Sequence, residues 1–130
     1  MKIPQRLKDF VSRRDVAKVL ATVNSDGSPN VGPKASTQVF DDESLVYGEF
    51  VGKRHFENVQ REQRISIAVM DWEKREGYRF VGQAEVHKSG PTYENVVARL
   101  PGPPRAVVRL LVERIDILSP KQAGETLPPE

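Results

Sequence analysis

The most informative stretch for the architecture of this chain is VAKVLATVNSDGSPNVGPKASTQVF, residues 16–40. Its first part, Val16 to Val23, is rich in apolar and β-branched side chains and predicts a strand. The cluster from Asn24 to Pro29 predicts a hairpin turn, because its Asp-Gly pair readily adopts the turn geometry that joins antiparallel strands. Asn30 to Phe40 predicts a second strand, interrupted at Gly32-Pro33, since proline cannot donate to a ladder. The stretch therefore indicates an antiparallel β protein whose second strand lies at a sheet edge or bulge.

Four further strands are predicted downstream of this hairpin. They are Leu45 to Phe50, Arg64 to Asp71, Tyr78 to His87 and Ala106 to Leu118. In the last of them the alternation of apolar residues shifts by one position between Val112 and Ile115, which predicts a β-bulge near Glu113-Arg114. Short helices are expected at the N-terminus up to about Arg14, from about His55 to Glu62, and after Pro91. Six strands joined mainly by short turns favour an antiparallel barrel or sandwich over a parallel α/β sheet.

Composition limits the kinds of function that this chain can have. Its 130 residues, 38% hydrophobic and 29% charged, predict one globular domain. The chain has no cysteine and only two histidines, so we expect neither thiolate catalysis nor a metal site. A net charge of +2 is lower than is typical of a nucleic-acid-binding domain, and no apolar run is long enough to span a bilayer. We expect a cytoplasmic protein that binds neither membranes nor nucleic acids.

The most informative polar residues are a group of cations. Lys34 follows Gly32-Pro33, while Lys53, Arg54 and His55 stand at the opening of the second predicted helix. A helix N-terminus attracts a phosphate through its free N–H groups, and an arginine can grip a phosphate with two hydrogen bonds. The residues alone leave a second interpretation open, in which these are ordinary solvated loop charges.

Four segments in order along the chain carry a family resemblance. They are Ala21 to Asn30, Gly32 to Ser36, Lys53 to Val59 followed by Arg64 to Ser66, and Gly82 to Ala84. Together they resemble the FMN-binding split barrels related to pyridoxamine 5′-phosphate oxidase, over roughly residues 5 to 118. The resemblance implies a six-stranded antiparallel split β-barrel with short flanking helices, occupying residues 1–118. A Pro-rich tail, residues 119–130, is expected to be loosely attached.

The resemblance also implies a set of cofactor-binding residues. Arg54 and His55 would hold the FMN phosphate with Lys53 nearby, and Lys34 would reach the phosphate or the ribityl chain. The remaining residues of the implied site are Ala35, Ser36 and Thr37 along the flavin, and Tyr47, Gly48 and Glu49 beside the isoalloxazine ring. No side chain is expected to be catalytic. The family is homodimeric with FMN at the interface, which implies a homodimer here, with Trp72 as a candidate dimer contact.

Several functions remain open at this stage. The first is a flavoprotein oxidoreductase that takes electrons from NAD(P)H or a redox partner, since the flavin performs the chemistry and the protein binds and orients it. The second is a non-enzymatic flavin carrier or electron-transfer protein. The third keeps the barrel but replaces FMN by a deazaflavin or haem, and the fourth is a nucleic-acid-binding barrel, which the distribution of aromatics disfavours. Oxidation of vitamin B6 is not expected, because the C-terminal substrate segment of the full oxidases is lacking.

Overall fold

A computed structural model describes residues 1–129, which form seven strands and three α-helices. The strands are β1 (Ala17–Val23), β2 (Pro29–Pro33), β3 (Gln38–Asp41), β4 (Ser44–Glu49), β5 (Arg64–Asp71), β6 (Glu76–His87) and β7 (Ala106–Ile117). The helices are α1 (Gln5–Val11), α2 (Arg54–Arg61) and α3 (Pro91–Val97), and a short 3₁₀ turn covers Pro120–Gln122.

All seven strands belong to one antiparallel sheet, in the order β2-β1-β5-β6-β7-β4-β3. Strands β2 and β3 are its two edges, so the sheet is open between them. The predicted split barrel is confirmed, and the chain segment that joins its two edges is only four residues long.

The prediction of a single strand from Asn30 to Phe40 is wrong, and the structure has seven strands instead of six. Residues 34–37 form a turn in which both the backbone N–H and the hydroxyl of Thr37 donate to the Lys34 carbonyl, at 3.1 and 2.7 Å. This local side-chain bond competes with the sheet ladder and divides the stretch into β2 and β3.

The core lies inside the curved sheet. Large fully buried side chains from the central strands, Leu20, Ile67, Phe80, Leu110 and Ile115, fill it. Helix α1 closes one side of it with Leu7, Phe10 and Val11, which recur at helical spacing and are buried.

The predicted bulge in β7 is present. Val81 pairs with Arg114 and Gly82 pairs with Val112, so Glu113 is the extra residue. At this point β7 comes so close to β6 that a Cβ on Gly82 would overlap the carbonyl of Leu111. The strand therefore requires glycine here for steric reasons.

The C-terminal tail folds back onto β7. The Leu127 N–H donates to the Ile115 carbonyl at 2.7 Å, and the Thr126 hydroxyl donates to Asp116 Oδ1 at 3.0 Å. The expectation of a loose tail is therefore wrong up to Leu127, because backbone hydrogen bonds fix this segment to the last strand. Among residues 1–129, no helix is both long and apolar enough to cross a membrane.

Candidate functional site

A groove lies where the Lys34–Thr37 turn meets the end of β4. It has a volume of about 440 Å³ and is lined by Pro33, Lys34, Ala35, Ser36, Gly48, Glu49, Phe50, Val51, Leu100 and Pro101. Most of these side chains are apolar, and the exceptions, Lys34, Ser36 and Glu49, all lie on the turn or on β4. Gly48 is needed for the shape of the groove, because a Cβ there would approach Leu100 Cδ1 to 2.8 Å. The groove is thus an apolar cleft with one charged region.

Lys34 and Glu49 form an ion pair in that charged region. Lys34 Nζ lies 2.7 Å from Glu49 Oε2, and the side chains are 12% and 1% exposed. The backbone N–H of Gly52 donates to the same oxygen at 2.9 Å. Glu49 Oε1 is also buried, but it has no partner among the described residues. One carboxylate oxygen is therefore fully engaged and the other is free.

Tyr47 lies beside this ion pair. Lys34 Nζ is 5.6 Å from the centroid of the Tyr47 ring, a cation–π distance. The Tyr47 hydroxyl is buried and has no hydrogen-bond partner within residues 1–129. Burial, and to a lesser extent the Glu49 carboxylate, raises the pKa of the Tyr47 phenol, so the hydroxyl keeps its proton.

Ser36 and Thr37 hold the turn in place. The Ser36 hydroxyl donates to the Gly48 carbonyl at 3.1 Å and accepts from the Gly48 N–H at 3.0 Å. The carbonyl of Thr37 accepts a hydrogen bond from Lys18 Nζ at 2.7 Å. The Thr37 hydroxyl donates to the Lys34 carbonyl, as described above. The hydroxyl protons of Ser36 and Thr37 are therefore both used in hydrogen bonds within the protein, and these bonds fix the turn that carries Lys34 against β4.

His55 points into the protein from α2. Its side chain is 9% exposed, and its Nδ1 lies 2.8 Å from the Thr22 hydroxyl oxygen. That oxygen already accepts a hydrogen bond from the Asn58 amide at 3.0 Å, and the orientation of the amide is fixed because Arg61 donates to Asn58 Oδ1. The hydroxyl proton of Thr22 has no other acceptor among the described residues, so Thr22 donates to Nδ1. The proton of the imidazole therefore resides on Nε2.

The Nε2–H group of His55 is itself buried and lacks a partner in residues 1–129. It lies over Gly32, where a Cβ would be only 3.2 Å away. Burial and the positive charge of Lys34 lower the pKa of His55, and Glu49 opposes this only partly. His55 is thus a neutral hydrogen-bond donor that points into the protein.

Lys53 and Arg54 differ from the other predicted site residues. Both are exposed at the N-terminus of α2, and neither side chain forms a hydrogen bond or ion pair within residues 1–129. Arg54 borders a polar recess of about 310 Å³ between α2 and the β1–β2 hairpin, away from the apolar groove. The structure therefore brings Lys34, Tyr47, Glu49 and His55 together, and it leaves Lys53 and Arg54 outside that cluster.

Sequence reasoning did not identify every residue that shapes the site. It missed Thr22, which sets the His55 tautomer, and Leu100 and Pro101, which form one wall of the groove. The i, i+3 spacing of His55 and Asn58 was a usable signal, since it places both on one face of a helix. The contribution of Leu100 and Pro101 comes from tertiary packing and had no local signal.

An open antiparallel barrel with a groove at its split edge defines a split-barrel protein. The family model for pyridoxamine 5′-phosphate oxidase matches residues 3–119. The chain belongs to this family, and the resemblance seen in its motifs is confirmed.

Solved structures support this assignment. HupZ of Group A Streptococcus is 36% identical, with a TM-score of 0.85 over 97% of this chain and 99% of that one. A pyridoxamine 5′-phosphate oxidase-like protein from Lactobacillus delbrueckii is 30% identical, with a TM-score of 0.78 over 88% and 93% of the two chains. An FMN-binding protein from Syntrophomonas wolfei shares the fold at 13% identity, with a TM-score of 0.77 over 88% and 85%. Among curated proteins, no sequence matches this one.

Proposed function

We propose that this protein binds FMN and uses it for electron or hydride transfer. The observation that carries the proposal is the position of three unpaired polar atoms, Tyr47 OH, Glu49 Oε1 and His55 Nε2. Buried polar atoms are nearly always hydrogen-bonded, so each exception requires an explanation. All three belong to the cluster around Lys34, next to an apolar groove. A polar ligand with a flat apolar ring would satisfy them.

Different residues of the site suit the ring and the phosphate of FMN. The apolar walls of the groove suit the isoalloxazine ring, and Lys34, Ser36 and Glu49 in its lining offer polar groups to the edge of that ring. Lys53 and Arg54, which have no other partner in residues 1–129, suit the phosphate at the start of α2. The shared fold of the FMN-binding protein from Syntrophomonas wolfei supports the same assignment.

In this proposal the protein's own residues bind the flavin and orient it. Bound flavin supplies the electron or hydride transfer. Tyr47 and His55 are neutral donors, Glu49 is an acceptor, and Lys34 keeps the region electrically balanced. Leu100 and Phe50 line the groove and offer apolar surface to the ring. No side chain is assigned as a general acid or base.

A homodimer with FMN at its interface is the second part of the proposal. Val51 at the groove and Trp72 on the β5–β6 hairpin are 90% and 83% exposed, so each offers apolar surface that a second subunit would bury. Sedimentation velocity should give a dimer, and Trp72→Ser should weaken it, whereas Glu73→Gln on the same hairpin should not. A monomer at all concentrations would contradict this part alone.

The decisive experiment is reconstitution with FMN. Protein mixed with excess FMN and passed over a desalting column should keep two visible flavin bands, and the released cofactor should be FMN. NADH and NADPH are then tested as reductants under anaerobic conditions. Retained flavin that is never reduced would indicate a carrier, while failure to retain FMN together with a Soret band after addition of haemin would overturn the proposal.

A further inference from the structure

A second cavity adjoins the groove. It has a volume of about 490 Å³ and is lined by the segment between α1 and β1 and by the first residues of β1. Pro33 and Ala35 line both this cavity and the groove, so the two spaces meet at the start of the Lys34–Thr37 turn. A ligand in this cavity would therefore be a neighbour of a ligand in the groove.

The lining of this cavity carries positive charge and no acidic side chain. Its charged members are Arg13, Arg14 and Lys18. Arg13 is not available to a ligand, because its Nη2 lies 2.6 Å from a carboxylate oxygen of both Asp15 and Asp71. Neither Arg14 nor Lys18 forms an ion pair within residues 1–129. The cavity therefore has two cations without a counter-charge.

Lys18 is a half-buried cation whose side chain has only a neutral partner. Its Nζ donates to the Thr37 carbonyl at 2.7 Å, and two of its three protons have no acceptor among residues 1–129. Burial lowers the pKa of Lys18, and no carboxylate opposes this effect. A neutral donor could hold the Thr37 carbonyl without the cost of desolvating a charge. An anionic ligand would explain why a charged side chain stands here.

Arg14 supplies a second cation that the fold does not use. Its side chain is exposed and forms no hydrogen bond or ion pair within residues 1–129. A guanidinium binds a phosphate through two parallel hydrogen bonds, and in dinucleotide-binding folds an arginine accommodates the 2′-phosphate of NADP. Together, Arg14 and Lys18 match the charge of a phosphate dianion better than that of a single carboxylate.

We propose that this cavity binds the 2′-phosphate of NADPH and thereby selects NADPH over NADH as the electron donor. The inference rests on the proposed function and makes it more specific. The two dinucleotides differ only in this phosphate, so the residues that contact it decide the preference. The wall shared at Pro33 and Ala35 would keep the donor beside the flavin in the groove.

NADP⁺ and NAD⁺ form a matched pair of ligands for the test, because neither can reduce the flavin. Protein mixed with FMN is titrated with each ligand in a calorimeter. The wild type should bind NADP⁺ at least about tenfold more tightly, since one charge-assisted hydrogen bond exceeds the free energy of a tenfold change. In Arg14→Ala most of this preference should disappear through weaker binding of NADP⁺, while the affinity for NAD⁺ stays the same. Arg64→Ala, which removes an exposed guanidinium that lines neither cavity, should keep the preference.

Lys18→Gln tests the second cation. Glutamine keeps a neutral donor and removes the charge, so the preference for NADP⁺ should fall, whereas Lys18→Arg keeps the charge and should retain it. Equal weakening of NADP⁺ and NAD⁺ in Lys18→Gln would show a structural role and overturn the assignment of Lys18 to the phosphate. A wild-type preference in Arg14→Ala, whose side chain has no partner to lose, would overturn the inference.

Retention of FMN is measured on the same samples, so the two failures can be told apart. Protein that retains FMN but binds NADP⁺ and NAD⁺ equally would overturn the inference and leave the proposed function standing. Protein that retains no FMN yet prefers NADP⁺ would support the phosphate site and overturn only the proposed function. Protein that does neither would overturn both.

Discussion

The Thr22 hydroxyl lies 2.8 Å from Nδ1 of His55, and this contact fixes which nitrogen of the imidazole carries the proton. Thr22 is on β1 and His55 is on α2, so the bond also joins the helix to the sheet. The Asn58 amide donates to the same hydroxyl, which leaves the hydroxyl proton for the imidazole. A small buried network therefore presents His55 Nε2–H as a neutral donor.

Thr22→Val is the simplest test of this network. Valine keeps the shape but leaves His55 Nδ1 and one Asn58 N–H without a partner, in a site where Thr22 is 2% exposed. Loss of buried partners of this kind costs about 1–3 kcal/mol, so urea denaturation should show a lower free energy of unfolding by about that amount. Thr22→Ser keeps the hydroxyl and should lie much closer to wild type. Equal stabilities of the two variants would contradict the network.

His55 should make stability depend on pH below about 6.5, the ordinary pKa of histidine. Burial, with help from Lys34, lowers its pKa in the folded state, so the unfolded chain binds more protons as the pH falls. The free energy of unfolding is therefore highest above about pH 6.5 and decreases as the pH falls toward the folded-state pKa.

The measurement compares urea denaturation at pH 7.5 and pH 5.5. His55→Gln removes the titrating group and should reduce the loss of stability between these two pH values. His87→Gln, which removes the chain's other histidine, is the control and should retain the loss. A His55 ring that titrates above 6.5 by NMR would show that the network does not keep it neutral.

The fold could be predicted from the sequence where local chemistry determines it. Asp26-Gly27 and the β-branched run before it predicted the first hairpin, and the shift in apolar phase predicted the bulge at Glu113. The division of the second strand was missed because it depends on a hydrogen bond from Thr37 back to Lys34, which no alternation of apolar residues records.

The sequence named Lys34, Tyr47, Glu49 and His55, which the structure brings together, but it did not predict how these residues contact one another. Lys34 and Glu49 were both selected, yet their ion pair joins residues 15 positions apart and exists only because the turn packs against β4. His55 was placed at the exposed opening of a helix, whereas the helix begins one residue earlier and turns His55 inward. A shift of one residue rotates a side chain by about 100° around a helix, so small errors in helix boundaries reverse the exposure of a residue.

Gly82 should tolerate no larger residue. A Cβ there would overlap the backbone carbonyl of Leu111, and two paired strands cannot separate as easily as a flexible side chain can move. Overpacking of this kind costs about 1–3 kcal/mol, and we expect Gly82→Ala to lie at the upper end in urea denaturation. Gly102→Ala is the matched control, since a Cβ there would meet no atom within 4 Å, and its effect should stay within about 0.5 kcal/mol. Similar losses for both variants would contradict the steric argument.

Arg54 provides the sharpest test of how the phosphate is held. The guanidinium is exposed and has no partner within residues 1–129, so removing it should leave the fold intact and change only what binds there. Arg54→Ala should weaken FMN binding by about tenfold or more, because one charge-assisted hydrogen bond exceeds about 1.4 kcal/mol. Its affinity for riboflavin, which lacks the phosphate, should be unchanged, and Lys74→Ala should control for the loss of one positive charge elsewhere.

Because the site is open to solvent, the difference in affinity between FMN and riboflavin should also shrink as the salt concentration is raised. If Arg54→Ala weakens FMN and riboflavin equally, the arginine does not contact the phosphate, and Lys53 or Lys34 becomes the residue to test.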